Sequence, residues 1–192
     1  MAKRIVVGIS GSSGAILGIR ALEVLKKAGV ETHLVITDVA RKVIEEETGL
    51  KAGDAEKLAA HSHRIDDFFA PIASGSFRTD GMLVIPCSMK TLAGIASGYS
   101  SNLLLRAADT TLKERRKLVL VAREMPLSLI HIRNMEAVTQ AGAVVLPPVL
   151  TFYSKPRSIE DMMTQVLGKA FDQLGIDAGY SRWSGENPPV KS

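Results

Sequence analysis

The chain has 192 residues, 46% hydrophobic and 23% charged, with a net charge of +4 and an isoelectric point near 9.3. A domain of this size hides roughly 70% of the surface its unfolded chain exposes, so one core suffices, and no stretch is long and apolar enough to cross a bilayer. Basic residues are scattered apart from Lys113-Glu114-Arg115-Arg116-Lys117 and only 5% of residues are aromatic, which argues against a nucleic-acid partner; the single cysteine, Cys87, excludes an internal disulfide and makes the cytoplasm the expected compartment.

After Met1-Ala2-Lys3-Arg4, the run Ile5 to Ile9 is too short for a secretory signal and has strand composition. A helix is expected over Ile16 to Lys27, stopping at Gly29, a residue suited to a left-handed cap. The second strand spans His33 to Ile36. Asp38 is placed to cap the next helix, with Val39, Val43 and Ile44 on one face and Glu45-Glu46-Glu47 at its end, where acids oppose the helix dipole. A polar helix over Ala55 to His61 leads to the loop Ala73-Ser74-Gly75-Ser76-Phe77 and the strand Met82 to Ile85, ended by Pro86. That loop and that strand end are expected to face one site. Helices follow at Thr91 to Ala96 and Leu103 to Lys113, a strand at Leu118 to Ala122, a helix at Leu129 to Gln140 and a strand at Val144 to Leu146. The last helix carries Ile159, Met162, Met163, Val166, Leu167, Ala170, Phe171 and Leu174 at helical spacing, with Ser158 and Asp161 placed as a capping box.

This alternation predicts an α/β protein: a Rossmann-like (flavodoxin-like) doubly wound parallel sheet, one domain over residues 1–175, then a loosely held tail over 176–192 anchored by Trp183. Ligands of such sheets bind beyond the carboxyl ends of the strands. There, Ser10-Gly11-Ser12-Ser13-Gly14-Ala15 offers close backbone approach and free N–H groups for a phosphate, although a tight structural turn explains it nearly as well. Pro86-Cys87-Ser88-Met89-Lys90-Thr91 repeats that logic, with Cys87 read as a small buried hydrophobe. Arg123-Glu124 offers a bidentate grip on phosphate, or a surface ion pair. Pro147-Pro148-Val149-Leu150-Thr151-Phe152-Tyr153 would wall an apolar pocket ending in a phenol. His61 and His63 are two apart and on a helix would not share a face as His-x-x-x-His ligands do, so no metal site is expected; His33 and His131 read as core or half-buried imidazoles.

Gly11 to Ala15, Glu47-Thr48, Ser74 to Phe77, Pro86 to Thr91, Arg106-Ala107-Ala108-Asp109, Lys113 to Arg116, Arg123-Glu124-Met125-Pro126-Leu127 and Pro147 to Tyr153 are in the order and approximate spacing of a known family. From about Arg4 to Trp183 the chain resembles the bacterial UbiX and fungal Pad1 flavin prenyltransferases. The resemblance implies a dodecamer in which reduced FMN and dimethylallyl phosphate meet at a subunit interface, without metal. The prenyl group would join N5 and C6 of FMN, and the product would serve UbiD-type decarboxylases. By position, flavin contacts fall on Gly11, Ser12, Ser13, Thr37, Ser88, Met89, Lys90, Thr91 and Arg123. Prenyl-phosphate contacts fall on Lys113, Arg123, Glu124, Tyr153 and Lys169, with Arg106 nearby. Catalytic roles fall on Glu47, Ser13, Glu124 and Lys113, with Glu47 chemically suited to take the C6 proton.

The chain departs from the family pattern at Ser12, Thr37 and Phe77, where many relatives have alanine, serine and tryptophan. Phe77 bears on the choice between dimethylallyl mono- and diphosphate. Competing expectations are a flavoprotein that oxidatively decarboxylates cysteine residues, a noncatalytic flavin carrier and a direct aromatic-acid decarboxylase. Against the first, Lys90, Arg123-Glu124 and Tyr153 suit an anionic phosphate.

Overall fold

In a computed structural model, which describes residues 2–183, six parallel strands alternate with helices. The strands are β1 (Arg4–Ile9), β2 (Glu31–Ile36), β3 (His61–His63), β4 (Gly81–Cys87), β5 (Lys117–Ala122) and β6 (Val144–Val145). Their order, β3-β2-β1-β4-β5-β6, is that of a doubly wound Rossmann sheet, which reverses direction between β1 and β4. The helices are α1 (Ala15–Lys27), α2 (Asp38–Thr48), α3 (Ala52–Glu56), α4 (Met89–Ala96), α5 (Leu103–Lys113), α6 (Leu129–Gln140) and α7 (Ile159–Gln173).

The central strands are apolar on both faces because helices cover both. Ile5, Val7 and Ile9 of β1, with Leu83 and Ile85 of β4 and Val119 and Val121 of β5, face one core with α1, α2 and α7. Val6, Met82, Val84, Leu118 and Leu120, the alternate residues, face a second core built with α4, α5 and α6. The helix α1 ends as expected, with Gly29 left-handed at φ 68° and Val30 N–H donating to Leu25 O at 3.0 Å.

Several boundaries differ from expectation. Thr37, not Asp38, caps α2, its Oγ1 accepting from Ala40 N–H at 3.2 Å; Asp38 becomes the first helical residue. Val39 and Ile159, assigned to apolar faces, are exposed. The strand β4 runs through Pro86, whose peptide bond with Ile85 is cis, and its register with β5 shifts between Val84 and Cys87. The predicted helix over Ala55 to His61 is shorter and earlier, and His61–His63 instead forms β3, paired with β2. At α7, Ser158 caps the helix as expected, its Oγ accepting from Asp161 N–H, and the Asp161 carboxylate accepts from the N–H groups of Arg157 and Ser158. His131 is half-buried, as one of the two expected alternatives had it, and serves in the capping box of α6.

The chain stays packed past the expected boundary at 175. Ile176 and Tyr180 are buried, and the Tyr180 hydroxyl donates to Asp172, while Arg182 bridges Asp172 and Asp177. The anchor is therefore Tyr180. Trp183 is exposed and meets Tyr153 only edge-on, 6.2 Å between ring centroids; the rest of the expected tail, 184–192, lies outside the described residues.

Candidate active site

Hydrogen bonds stitch the carboxyl ends of four strands into one platform. Ser10, fully buried, donates its hydroxyl to Pro86 O at 3.0 Å and accepts from Ser88 N–H at 2.8 Å, tying β1 to β4. Thr37 N–H reaches Ile9 O at 3.0 Å, Arg123 N–H reaches Cys87 O at 3.1 Å, and the Ser12 hydroxyl donates to Arg123 O at 3.1 Å. Gly11, Ser12, Ser13, Thr37, Ser88, Met89, Lys90, Thr91 and Arg123 thus surround the switch point of the sheet, where ligands of such folds sit. Ser10 heads the turn that sequence reasoning marks as phosphate-suited, but its tie to β4 had no signal beyond a serine closing an apolar strand.

The two anion-suited turns are not equivalent. At α1, the N–H groups of Gly14 and Ala15 donate to the Glu47 carboxylate at 2.9 and 3.0 Å, so a protein carboxylate holds the place expected for a phosphate. At α4, Ser88 Oγ caps Thr91 N–H, while the N–H groups of Met89 and Lys90, first in the helix, have no carbonyl within it to bond. An anion fits there, beside the Lys90 ammonium. Gly11 is equally constrained: a Cβ on it would collide with the Val39 side chain of α2. These features fit FMN as the occupant of the platform.

Glu47 is no idle member of an acidic run. Burial pushes its carboxyl up, but the Ser13 hydroxyl, the Gly14 and Ala15 N–H groups and the Arg123 charge together hold it below its ordinary value of 4.5. It is a carboxylate at neutral pH, hydrogen-bonded to Ser13. Cys87 is fully buried, and desolvation raises its thiol to about 12, so it is inert packing.

At the carboxyl end of β6, Tyr153 and Lys169 line one cleft of about 210 Å³ with Pro147, Thr151 and Gln165. The Tyr153 hydroxyl donates to Gln165 Oε1 at 3.3 Å, and Gln165 Nε2 donates to Ser181 O at 3.1 Å, which fixes the amide. The Thr151 hydroxyl in that wall is buried without a protein partner among the described residues. Glu124 is exposed and, among the described residues, accepts from its neighbour Met125 N–H.

Arg106 and Lys113 are elsewhere. Lys113 ends α5, just before β5 begins at Lys117, and the Ser74–Phe77 loop precedes the start of β4 at Gly81, so both lie toward the amino edge of the sheet. Lys113 pairs with Glu114, Arg106 bonds Ala73 O at 3.0 Å and Asp109 at 2.8 Å, and Arg116 clamps Gly75 O and Phe77 O. The expectation that the 73–77 loop and the Pro86 strand end face one site fails within one chain, because parallel strands put the entry and exit of β4 at opposite ends. A large apolar surface remains uncovered at α6 and its approach: Met125, Leu127, Leu129, Ile130 and Ile132 are exposed.

Comparison with known proteins agrees with this geometry. The Flavoprotein family model matches residues 1–170. The flavin prenyltransferase UbiX of Thauera aromatica is 51% identical over 183 residues, which cover 95% of this chain and 94% of that protein. A crystal structure of AnUbiX (PadA1) in complex with FMN and dimethylallyl pyrophosphate superposes with a TM-score of 0.95 at 52% identity, covering 97% of this chain and all of the other. A dodecameric FMN-dependent UbiX-like decarboxylase from Escherichia coli O157:H7 gives 0.92 at 49% identity, covering 95% of this chain and 100% of its own. The cysteine decarboxylase SpaF, at 19% identity and a TM-score of 0.61, shares the fold alone. With about half of its residues shared along nearly its whole length, the chain belongs to the UbiX-like flavin prenyltransferase family.

Proposed function

We propose that this protein joins the dimethylallyl group of dimethylallyl phosphate to N5 and C6 of reduced FMN, making the prenylated flavin used by a UbiD-type decarboxylase. The carrying observation is the carboxyl-end platform, with an anion-ready α4 start and an Arg123–Glu124 turn, in a chain half identical to flavin prenyltransferases. In the reaction the allyl C–O bond to phosphate breaks as the N5–C bond forms and the N5 proton leaves; the allyl C=C then takes up a proton at its central carbon while its tertiary carbon bonds C6, and the C6 proton leaves, so the flavin gains C5H8 and phosphate is released. Gly11, Ser12, Ser13, Thr37, Ser88, Met89, Lys90, Thr91 and Arg123 hold the flavin. Arg123, Glu124, Tyr153 and Lys169 hold the prenyl phosphate, their cations favouring the departing anion. Glu47 takes the proton, with Ser13 between it and the ring.

In this reading Arg106 and Lys113 reach the phosphate from a second copy of the chain, since within one chain Lys113 lies at the other end of the sheet. A homo-oligomer, taken as a dodecamer, supplies that copy, and the exposed apolar face at α6 is the kind of surface such an assembly buries. The active domain extends through the docked Tyr180, and the protein works in the cytoplasm. The test is anaerobic incubation with reduced FMN and dimethylallyl phosphate or diphosphate, then mass spectrometry of the extracted flavin. Gain of one C5H8 unit is expected; bound but unmodified flavin with both donors would overturn the reading.

A further inference from the structure

Three of the chain's four histidines meet at one place, far from the platform just described. His33 and His61 are direct partners in the pairing of β2 with β3, and their rings lie 4.7 Å apart. His33 is buried, and its Nε2 sits 3.0 Å from Glu31 Oε1. His61 Nε2 is 3.8 Å from that same oxygen. His63, two residues along β3 and therefore on the same face, places its Nε2 3.0 Å from His33 Nδ1. In a helix two residues this far apart point to different faces, whereas in the strand β3 His61 and His63 share one.

The ligand atoms of Glu31, His33 and His61 all lie within 4.8 Å of one another. A four-coordinate zinc ion with bonds of about 2.0–2.1 Å holds its ligand atoms roughly 3.4 Å apart; the two imidazole–carboxylate spacings of 3.0 and 3.8 Å bracket that value, and the imidazole–imidazole spacing lies within 4.8 Å. His61 is exposed and free to turn its ring the remaining distance. The surroundings have the outer contacts a metal site uses. If His33 donates from Nδ1 to His63, its Nε2 lone pair points to the ion, and the tautomer is fixed. Arg4 grips Glu31 with Nε on Oε1 at 2.7 Å and Nη2 on Oε2 at 3.0 Å, orienting the carboxylate while Oε1 keeps a second lone pair. Two imidazole nitrogens and one carboxylate oxygen suit a borderline divalent ion, not magnesium or calcium, which take oxygen cages.

We propose that Glu31, His33 and His61 bind one zinc ion, with His63 setting the His33 tautomer and water completing the coordination, and that the ion clamps the edge strand β3 to the sheet. Three residues with no apolar side chain give β3 little hold of its own. The clamp also reaches the Ser74–Phe77 loop, because the Phe77 ring stands edge-on to His33 at 5.1 Å and lies under the Arg4 guanidinium at 4.5 Å. It is separate from the prenyl-transfer site of the same chain and takes no part in bond making.

The test uses tag-free, full-length protein stripped with a chelator. Zinc is titrated by calorimetry, and cobalt(II) is added separately to read the visible bands of a four-coordinate site. One ion per chain is expected, with a higher melting temperature in zinc than in chelator. His61→Ala, an exposed position whose loss leaves both cores intact, should weaken binding at least about tenfold and abolish the four-coordinate cobalt bands. His63→Ala should lose about 10–100-fold in affinity, as removal of an outer partner does. Absence of stoichiometric uptake by the wild-type protein overturns the proposal. So does unchanged affinity in both variants, which would place the ion elsewhere.

Discussion

Replacing Glu47 separates its two roles, holding α1 and accepting a proton. Both bonds from Gly14 and Ala15 end on one oxygen, Oε2. A glutamine presents a carbonyl oxygen there, so Glu47→Gln keeps the geometry and loses only the charge at an exposed helix start, about 0.3–1 kcal/mol. Glu47→Ala leaves both N–H groups to water, a loss comparable to removing a helix cap, about 1 kcal/mol, or roughly 2–4 °C in melting temperature for a domain of this size. If Glu47 removes the C6 proton, both variants lose about 10²–10⁴-fold in the single-turnover rate of ring closure. The stability difference also has a fixed pH dependence. The folded-state pKa lies below the ordinary 4.5, so the carboxylate stabilises fully above that value and loses its contribution as pH falls through the lower folded value. Melting curves of wild type and Glu47→Gln should therefore converge in acid. Full turnover by Glu47→Gln refutes the base assignment, and a Glu47→Ala melting temperature equal to that of the wild type refutes the capping geometry.

A second prediction concerns the composite site: Lys113→Ala and Glu47→Gln, each inactive alone, should recover part of the activity when their subunits are mixed and reassembled, because a mixed interface can contain one intact set; no recovery argues that both act from one chain. Gly168→Ala would drive a methyl group into the Tyr180 ring, which already closes over that glycine, so a loss of about 1–3 kcal/mol and earlier proteolysis near residue 180 are expected in thermal melts and limited digestion. Cys87, buried with its thiol raised to about 12, should resist thiol reagents in the native protein and react at once in denaturant; fast native labelling would contradict its burial.

How much of this was legible follows from how local each signal is. Apolar runs such as Val119 and its neighbours declare strands on their own, and helices with a full apolar face declare their spans within a residue or two, because burial on both sides of a parallel sheet leaves a composition that few other structures need. β3 carries no such mark. His-Ser-His has neither alternation nor β-branched residues, and it is a strand because β2 offers an unpaired edge beside it. Thr37 and Asp38 are both competent caps, and only the backbone decides which one faces Ala40.

The site was legible as a set of motifs but not as an arrangement. Sequence order brings Ser74–Phe77 next to Pro86–Thr91, yet one strand lies between them, and a seven-residue parallel strand carries its two flanking loops to opposite edges of the sheet. The same reasoning separates Lys113, before β5, from Arg123, after it. Topology sorts the linear list of matching residues: those following strands gather at the carboxyl-end platform, while Arg106, Lys113 and the 73–77 loop form a second group toward the other end of the sheet, which under the proposed function meets the platform of another chain. Glu47 belongs to the first group for a reason no local pattern holds, since its partner N–H groups open a helix more than thirty residues earlier. An acid that looks misplaced at the end of α2 is well placed at the start of α1, and that single contact turns a run of three glutamates into one structural carboxylate and two solvated ones.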